Sequence, residues 1–216
     1  MENIVLIGAS GFVGSAILEE ALGRGCKVKA LVRHPEKIKH SNPNLSVVAL
    51  DVSSSDEVTR AVQGADAVIS AYNPGWANPD IYNLTLQVYP AILQGVKKAG
   101  IKRFLIVGGA GTLFVSPGMR VVDSGAIPDA IMPGVKALGE FYLNILMKEK
   151  DIDWVFFSPA GQFIDGQRTG KFRLGKDDLI VDVKGNSSIS VQDYAMAMLD
   201  ELEKPQHHRE RFTIGY

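Results

Sequence analysis

The sequence has 216 residues, of which 46% are hydrophobic and 22% are charged, a composition that excludes a disordered chain. Its 23 basic and 24 acidic residues leave a formal net charge of −1, which gives no general attraction to nucleic acid or to anionic lipid. The single cysteine, Cys26, excludes an intramolecular disulfide and a multi-cysteine zinc site. No uncharged stretch approaches the ~20 apolar residues of a membrane helix, so we expect a soluble, cytoplasmic protein that binds neither nucleic acid nor membrane.

Short apolar runs alternate with amphipathic stretches along most of the chain. The runs predict strands buried on both faces, because they lack the alternation of a strand with one wet face. The predicted strands cover residues 3–7, 26–32, 45–50, 67–70, 103–107 and 154–157. The predicted helices cover residues 11–24, 53–62, 80–99 and 133–150. This alternation predicts an α/β fold, a three-layer doubly wound parallel sheet of the Rossmann NAD(P)-binding type.

The remainder of the chain is less regular. We expect a hairpin between residues 172–174 and 179–183, a helix over residues 191–203 with Ser190 or Asp193 near its start, and a last strand over residues 211–214. Segments 108–132 and 158–190 are long enough to serve as binding loops or lids. We interpret residues 1–216 as a single domain, with 158–190 as a small, irregular substrate region on the C-terminal side.

A glycine-rich turn carries the functional argument. Residues 8–14 are G-A-S-G-F-V-G, directly after a predicted strand and at the start of a predicted helix. In a dinucleotide site Gly8 permits the tight turn, Gly11 lets a pyrophosphate approach the backbone, and Gly14 lets the helix pack closely. The alternative is a strand–helix turn without a ligand. The predicted cofactor residues of this turn are Gly8, Ser10, Gly11, Phe12, Val13 and Gly14.

Arg33 indicates which dinucleotide is bound. NAD-binding proteins commonly place an acidic residue about 20 positions after the glycines to bind the ribose 2′-hydroxyl. That position is Arg33 here, and a guanidinium pairs with a 2′-phosphate, so we predict NADP(H) in preference to NAD(H). A solvated arginine at a strand end is the alternative. Asp51 and Val52 follow the third strand, where Asp51 either caps the adenine edge or is only a turn residue.

Several stretches resemble one family. They are the glycine turn, L-V-R-H-P-E-K at residues 31–37, Asp51-Val52, I-V-G-G-A-G at residues 106–111 and I-S-V-Q-D-Y-A at residues 189–195. The chain resembles, over almost its whole length, the atypical short-chain dehydrogenase/reductases. More narrowly, it is similar to the NAD(P)H-binding group known as NmrA-like proteins, NADH-flavin reductases or epimerase/dehydratase-like proteins. The resemblance implies reduction of flavins or related planar substrates, although the group also includes redox sensors.

The resemblance also exposes one departure from the family. Short-chain dehydrogenases typically use Tyr-x-x-x-Lys, whereas residues 132–136 are M-P-G-V-K. Met132 cannot act as an acid or base, because a thioether carries no transferable proton. Lys136 remains, and the resemblance assigns it to the nicotinamide ribose as a catalytic and cofactor residue, unless it is only a surface lysine. Tyr142 lies ten residues after Met132, so we expect it on a different side of the helix.

The resemblance implies three further contacts with cofactor or substrate. Ala71 and Tyr72 would lie beside the nicotinamide-side ribose, and Pro159 beside the carboxamide. Thr112 is a second catalytic candidate, since its hydroxyl would polarise a substrate oxygen, and a plain turn threonine is the alternative. Tyr72 and Trp76, in the loop after the fourth strand, would line a planar pocket, with hydrophobic packing as the alternative. On the two long segments, the residues that we expect to form an apolar rather than a sugar-binding site are Phe114, Met119, Met132 and Phe163.

Together these features predict hydride transfer from NADPH to a small planar acceptor, flavin- or quinone-like, without the usual tyrosine acid. The alternatives are an NADP(H)-sensing regulatory protein without turnover and a nucleotide-sugar epimerase- or dehydratase-like protein. We expect His207 and His208 to be solvated and Cys26 to be a core residue. The charged group Asp165, Arg168 and Lys171 forms either a substrate rim or plain surface.

Overall fold

The computed structural model describes residues 3–216. Its strands are β1 (Asn3–Ile7), β2 (Lys27–Val32), β3 (Leu45–Ala49), β4 (Ala67–Ser70), β5 (Arg103–Val107), β6 (Phe114–Ser116), β7 (Met119–Arg120), β8 (Asp153–Ser158), β9 (Gln162–Ile164), β10 (Arg173–Gly175), β11 (Ser188–Ser190) and β12 (Glu210–Gly215). Its α-helices are α1 (Phe12–Gly23), α2 (Ser55–Val62), α3 (Ile81–Lys98), α4 (Met132–Glu140) and α5 (Val191–Glu203). Among these residues, no helix is long and apolar enough to cross a membrane.

Eight strands form one sheet in the order β10-β12-β8-β5-β4-β1-β2-β3. All neighbours are parallel except β10 and β12, and the register places Ile4 of β1 beside Val28 of β2 on one side and Ala67 of β4 on the other. The predicted α/β fold is therefore confirmed as a doubly wound, Rossmann-type sheet. The seven predicted sheet strands are all present, with ends that differ by no more than one residue.

The sheet is covered by helices on both faces because its inner strands are apolar on both faces, whereas β3, at the edge of the sheet, is mostly exposed and does not fit the predicted burial. On one face, α1 and α5 pack on a cluster that includes Leu6, Phe157 and Tyr194. On the other face, α2, α3 and α4 enclose a cluster that includes Phe104 and Phe156. Each cluster lies between the sheet and one helical layer, which gives the three predicted layers. Cys26 is buried in the first cluster, as expected.

The helix predicted over residues 133–150 changes its winding partway along. It is α-helical over Met132–Glu140, π-helical over Phe141–Ile145 and 3-10 over Leu146–Lys148. The Tyr142 ring, in the π-helical part, stacks on Phe156 of the sheet with 4.5 Å between ring centroids. Tyr142 is thereby buried on the core side, while Lys136, earlier on the same helix, is exposed.

The hairpin predicted between residues 172–174 and 179–183 is wrong. β10 pairs instead with the open edge of β12, antiparallel, with Arg173 beside Gly215. Residues 179–183 form no strand; the backbone N–H of Leu179 donates to the carbonyl of Phe114. The backbone N–H of Phe114 in turn donates to the carbonyl of Asp177, and these two hydrogen bonds join segments 108–132 and 158–190. The prediction failed because the composition of a short strand does not show which strand it pairs with. The partner can be the next segment in sequence or the unpaired edge of a sheet formed elsewhere in the chain.

Candidate cofactor and acceptor site

The turn after β1 lies directly against the loop after β4, where the strand order reverses. Gly8 has a φ of 80°, and a Cβ atom there would lie 2.6 Å from the carbonyl oxygen of Ala71. The N–H of Gly8 donates to the carbonyl of Leu31, and the N–H of Ala71 to that of Ile7. The ends of β1, β2 and β4 are thus hydrogen-bonded to one another. In an open α/β sheet this is the crevice where ligands bind.

The glycine turn leads into a helix whose N-terminus is exposed. The N–H of Gly11 donates to the Gly8 carbonyl, and a Cβ at Gly14 would lie 2.1 Å from that same oxygen. Only glycine fits at Gly14, whereas at Gly11 a Cβ would meet nothing closer than 3.4 Å. The first turn of α1 contains no acidic side chain, and its backbone N–H groups have no intrahelical partner. This geometry suits a phosphate.

The remaining predicted residues of the turn differ in exposure. Gly11 and Phe12 are exposed, with 54% of the Phe12 side chain accessible, while Ser10 and Val13 are half-buried. The exposed part of the turn is therefore the part that precedes and begins α1. A ligand would therefore reach the backbone of the turn at Gly11 and Phe12.

Arg33 and Asp51 lie near Tyr72 at the cofactor edge. Burial raises the pKa of Tyr72 to about 12, the positive charge of Arg33 lowers that pKa, and the negative charge of Asp51 raises it, so both charges act on this hydroxyl. Arg33 is exposed and makes no ion pair within residues 3–216. Asp51 accepts the N–H of Ser53 at 3.0 Å, which is the turn role left open above. Its exposed position at the same edge leaves the adenine contact as a prediction.

Tyr72 is held in place by its neighbours. The hydroxyl of Tyr89 donates to the Tyr72 carbonyl at 2.7 Å, and the two rings meet edge-to-face at 5.6 Å. Val52 is buried in the same cluster, against which Tyr72 packs. Part of Tyr72 therefore serves packing, and Val52 presents little besides its backbone to a ligand.

Lys136 lies exposed on α4. Its ammonium makes no hydrogen bond or ion pair in the part of the chain that the structure describes. Trp76, after β4, packs on the first turn of α4, where a Cβ at Gly134 would lie 2.9 Å from its ring. Met132, at the helix start, is half-buried. The loop after β4 and the helix that carries Lys136 thus meet, and the lysine is available to bind a ligand.

Thr112 is buried and already bonded. Only 6% of Thr112 is accessible, and its Oγ1 accepts a hydrogen bond from Nη1 of Arg211 at 2.7 Å. Arg211, in β12, is equally buried, and its Nε and Nη2 donate to Oδ1 of Asp177 at 3.0 and 2.5 Å. The guanidinium lies over the ring of Tyr142, 5.1 Å from its centroid. We did not select Arg211 from the sequence; the available signal was a basic residue inside an apolar strand.

The apolar candidates on the two long segments do not form one group. Phe114 and Met119 belong to the β6–β7 hairpin, where the guanidinium of Arg120 lies 5.7 Å from the Phe114 ring centroid. Phe163 packs edge-to-face on Tyr194, 4.8 Å away, in the core beside α5. Pro159, directly after β8, is buried. Phe163 is therefore a packing residue, whereas the hairpin remains partly exposed.

An ionic cluster lies at the other end of the strands, and it shows that the expectation of a solvated His207 is wrong. His207 is not solvated, because its ring stacks on Phe212 at 4.1 Å and its Nδ1 lies 2.8 Å from Glu201. Glu201 also accepts from Arg103 at 2.5 Å. His208 is exposed, as expected, and its Nδ1 lies 2.9 Å from Asp153. Since Arg103 and Asp153 begin β5 and β8, this cluster lies far along the strands from the glycine turn.

Asp165 and Arg168, two members of the charged group in segment 158–190, contact helices although both remain exposed. Arg168 binds both carboxylate oxygens of Glu20 in α1, at 2.8 and 2.9 Å. Asp165 accepts from the amide of Gln192 in α5 at 2.8 Å. These contacts attach the segment to the helical layer that includes the cofactor helix.

Three features meet at one crevice: the strand order reverses, the turn after β1 requires glycine at Gly14, and the N-terminus of α1 is exposed. Together they define a Rossmann-type dinucleotide-binding protein. Comparison with known proteins agrees with this class. The chain belongs to the NAD(P)H-binding family, which it matches over residues 8–205.

Similar proteins carry the names that the sequence led us to expect. A structure from Bacteroides thetaiotaomicron, provisionally described as an epimerase, is 66% identical and superposes with a TM-score of 0.95 over 100% of this chain and 97% of that one. A Streptococcus pneumoniae TIGR4 structure, provisionally described as an NADH-flavin reductase, is 34% identical with a TM-score of 0.83 over 100% and 99% of the two chains. YwnB of Bacillus subtilis (strain 168), an uncharacterized protein, is 39% identical over 98% of this chain and 97% of its own length. The expected resemblance is confirmed.

Proposed function

We propose that this protein is an oxidoreductase that binds NADPH in preference to NADH and reduces a small planar acceptor without a tyrosine acid. The observation that carries the proposal is Arg33, an exposed guanidinium that makes no ion pair with residues 3–216 and lies where an acidic residue would bind a ribose 2′-hydroxyl. A guanidinium there pairs with the 2′-phosphate through two parallel hydrogen bonds. The space at Gly11 and the exposed start of α1 fit the pyrophosphate.

When bound, NADPH would supply a hydride, which carries two electrons and one proton, and solvent would supply the second proton of the acceptor's reduction. The protein's part is to bind and orient. Lys136 would hold the nicotinamide ribose, Tyr72 and Ala71 would bound the ribose pocket, and Pro159 would lie beside the carboxamide. Because Met132 replaces the tyrosine acid, the reaction suits a flavin or quinone, whose reduced form takes its proton from water.

The relatives support this class of reaction. The Streptococcus pneumoniae relative is described provisionally as an NADH-flavin reductase, and the Bacteroides relative as an epimerase. An epimerase must add and remove protons at the sugar, and Met132 does not provide for that step. A second candidate, a regulatory protein that binds NADP(H) without turnover, is favoured by the same methionine.

Cofactor binding is the first test. We would titrate the wild-type protein and Arg33→Ala with NADPH and NADH, following the fluorescence of the reduced nicotinamide. We expect the wild type to bind NADPH more tightly, and Arg33→Ala to lose about tenfold or more of its NADPH affinity with NADH binding unchanged. Arg60→Ala, which removes an exposed arginine from α2, is the matched control and should behave as wild type. Tighter binding of NADH by the wild type would refute the preference.

Turnover is the second test. NADPH oxidation would be followed with flavin, quinone and carbonyl acceptors, and we expect activity with the first two. Lys136→Ala should lower that activity, whereas Lys148→Ala, an exposed lysine beyond the end of α4, should not. Unchanged turnover in Lys136→Ala would refute the role of the lysine. Tight NADPH binding without turnover on any acceptor would favour the regulatory protein.

A further inference from the structure

The contact between Arg211 and Thr112 fixes the direction of a hydrogen bond. A guanidinium has donors and no acceptor, and it stays protonated at all pH values of interest. The oxygen of Thr112 must therefore accept from Arg211, and its own proton must point elsewhere. No acceptor for that proton is found among residues 3–216. Thr112 is thus a buried hydroxyl with an available proton.

The side chain of Thr112 is also fixed on its other branch. Its Cγ2 faces α4 so closely that a Cβ at Gly139 would lie 3.0 Å from it. The helix thus fixes the Cγ2 methyl group and the guanidinium fixes the Oγ1 oxygen. The orientation of the hydroxyl O–H bond is consequently restricted. A donor held in this way needs no reorganisation when charge develops on a neighbouring atom, and the adjacent positive charge strengthens it.

Two more hydroxyls on the same sheet face lack partners. Ser158 of β8 and Thr213 of β12 are register partners. Thr213 follows Arg211 by two residues in β12, so the two side chains lie on the same face of the sheet. Both are 0% exposed, and within the described chain neither side-chain oxygen has a hydrogen-bond partner. Buried polar groups are rarely left in this state. These two hydroxyls, like that of Thr112, therefore carry protons for which the described chain offers no acceptor, and they lie on the same face as Arg211.

We propose that Arg211 is a positioning residue, which holds the Thr112 hydroxyl as a hydrogen-bond donor to an acceptor oxygen on which negative charge develops. This inference rests on the proposed function and narrows its substrates to planar molecules with a carbonyl oxygen, such as quinones and flavins. Thr112 thereby supplies the electrostatic stabilisation that the tyrosine would give, without transferring its proton. Asp177 pairs with the guanidinium from the solvent side, where its side chain is 56% exposed and water screens its charge.

The test is a double-mutant cycle with 2-methyl-1,4-naphthoquinone as the acceptor. We expect Thr112→Val to lower kcat by roughly 10- to 100-fold, somewhat less than the loss of an oxyanion-hole donor, because one hydroxyl is removed and water supplies the proton. Arg211→Met should lower kcat by a similar factor. The double variant should be no slower than either single variant, because both remove the same interaction. Thr112→Ser, which keeps the hydroxyl, should restore most of the rate.

A merely structural role for Arg211 gives a different pattern. Arg103→Met removes another buried, paired arginine of the same sheet and is the matched control; it should lose stability and keep the wild-type kcat. If Arg211→Met does not fold, Arg211→Lys takes its place in the cycle. Arg211 variants that keep the wild-type kcat, or whose effect multiplies with that of Thr112→Val, would overturn the proposal.

A binding measurement separates this inference from the proposed function. The same quinone is titrated into protein saturated with NADP⁺, where no hydride is available, and its affinity is followed by tryptophan fluorescence. We expect Thr112→Val and Arg211→Met each to weaken quinone binding several-fold and Arg103→Met to leave it unchanged. If these affinities are observed but no variant or wild type turns over, the proposed reaction is refuted and the role of Thr112 as a hydrogen-bond donor stands. Equal affinities in all variants, or no quinone binding by the wild type, would overturn the inference.

Discussion

The glycines of the first turn make separable contributions that three alanine substitutions distinguish. Gly14→Ala places a methyl carbon 2.1 Å from the Gly8 carbonyl oxygen, about 1.3 Å short of the 3.4 Å at which ordinary contacts begin. The obstructing atoms are backbone, so the turn or α1 must shift. Overpacking of this kind costs up to about 3 kcal/mol, while alanine gains about 1 kcal/mol of helix propensity. We expect a net loss of about 2 kcal/mol in the free energy of unfolding.

Gly23→Ala is the control within the same helix. A Cβ at Gly23 meets nothing within 4 Å, so we expect a gain of about 0.5–1 kcal/mol from propensity alone. Gly11→Ala should cost less than about 1 kcal/mol, the price of alanine at an N-cap, because its Cβ makes only ordinary contact. NADPH affinity should nevertheless fall about tenfold or more in Gly11→Ala, since the methyl group lies where the pyrophosphate approaches.

Two assays read out the three variants. Urea unfolding followed by far-UV circular dichroism, without cofactor, gives the stabilities, and nicotinamide fluorescence gives NADPH affinities. Gly14→Ala and Gly23→Ala with equal unfolding free energies would refute the packing argument. Wild-type NADPH affinity in Gly11→Ala would refute the assignment of the pyrophosphate to this turn.

Two carboxylates of α5 yield further predictions on stability. Asp193 is fully buried, and although burial raises its pKa, hydrogen bonds from Thr169, Gly170 and Tyr216 bring it below its ordinary value. Asp193→Asn should therefore cost about 2–4 kcal/mol of unfolding free energy near neutral pH. The difference in unfolding free energy between wild type and variant should shrink as the pH falls below about 4, because the folded protein then begins to lose the ionised carboxylate. A difference that is independent of pH would contradict this prediction. Glu201→Gln, which weakens the buried contacts to Arg103, should cost about 3 kcal/mol by urea unfolding, against less than about 1 kcal/mol for the half-exposed Glu203→Gln. Equal losses in those two variants would show that burial of the Arg103 pair adds nothing.

The sheet and the glycine turn could be predicted because their signals are local. The strand predicted over residues 154–157, for example, is a continuous apolar run, and burial on both faces requires that composition. The turn at residues 8–14 is likewise determined within one strand–helix unit, where the close approach of Gly14 to Gly8 leaves room only for glycine. The helix over residues 191–203 was predicted with its correct ends, and Ser190 caps it by accepting the N–H of Asp193.

The acceptor side could not be predicted in the same way, because its contacts join distant parts of the chain. Thr112 and Arg211 are 99 residues apart, and nothing in the spacing of either indicates the other. Residues 172–174 and 179–183 looked like a hairpin, yet β10 found its partner about 40 positions further along, at the open edge of β12. His207 lies in a polar run, but its ring is covered by Phe212, which the run does not foretell.

The hydrogen bonds that join the ends of β1, β2 and β4 bear on how fast and how tightly a dinucleotide binds. Gly8 is hydrogen-bonded to Leu31 and Ala71 to Ile7 before any ligand arrives, and the Gly8 and Ala71 backbones lie against each other. The conformational entropy lost by this half of the crevice is therefore lost during folding, and little remains to be lost on association. Cofactor affinity should depend mainly on direct contacts, and association on diffusion and charge rather than on a slow closing of the turn.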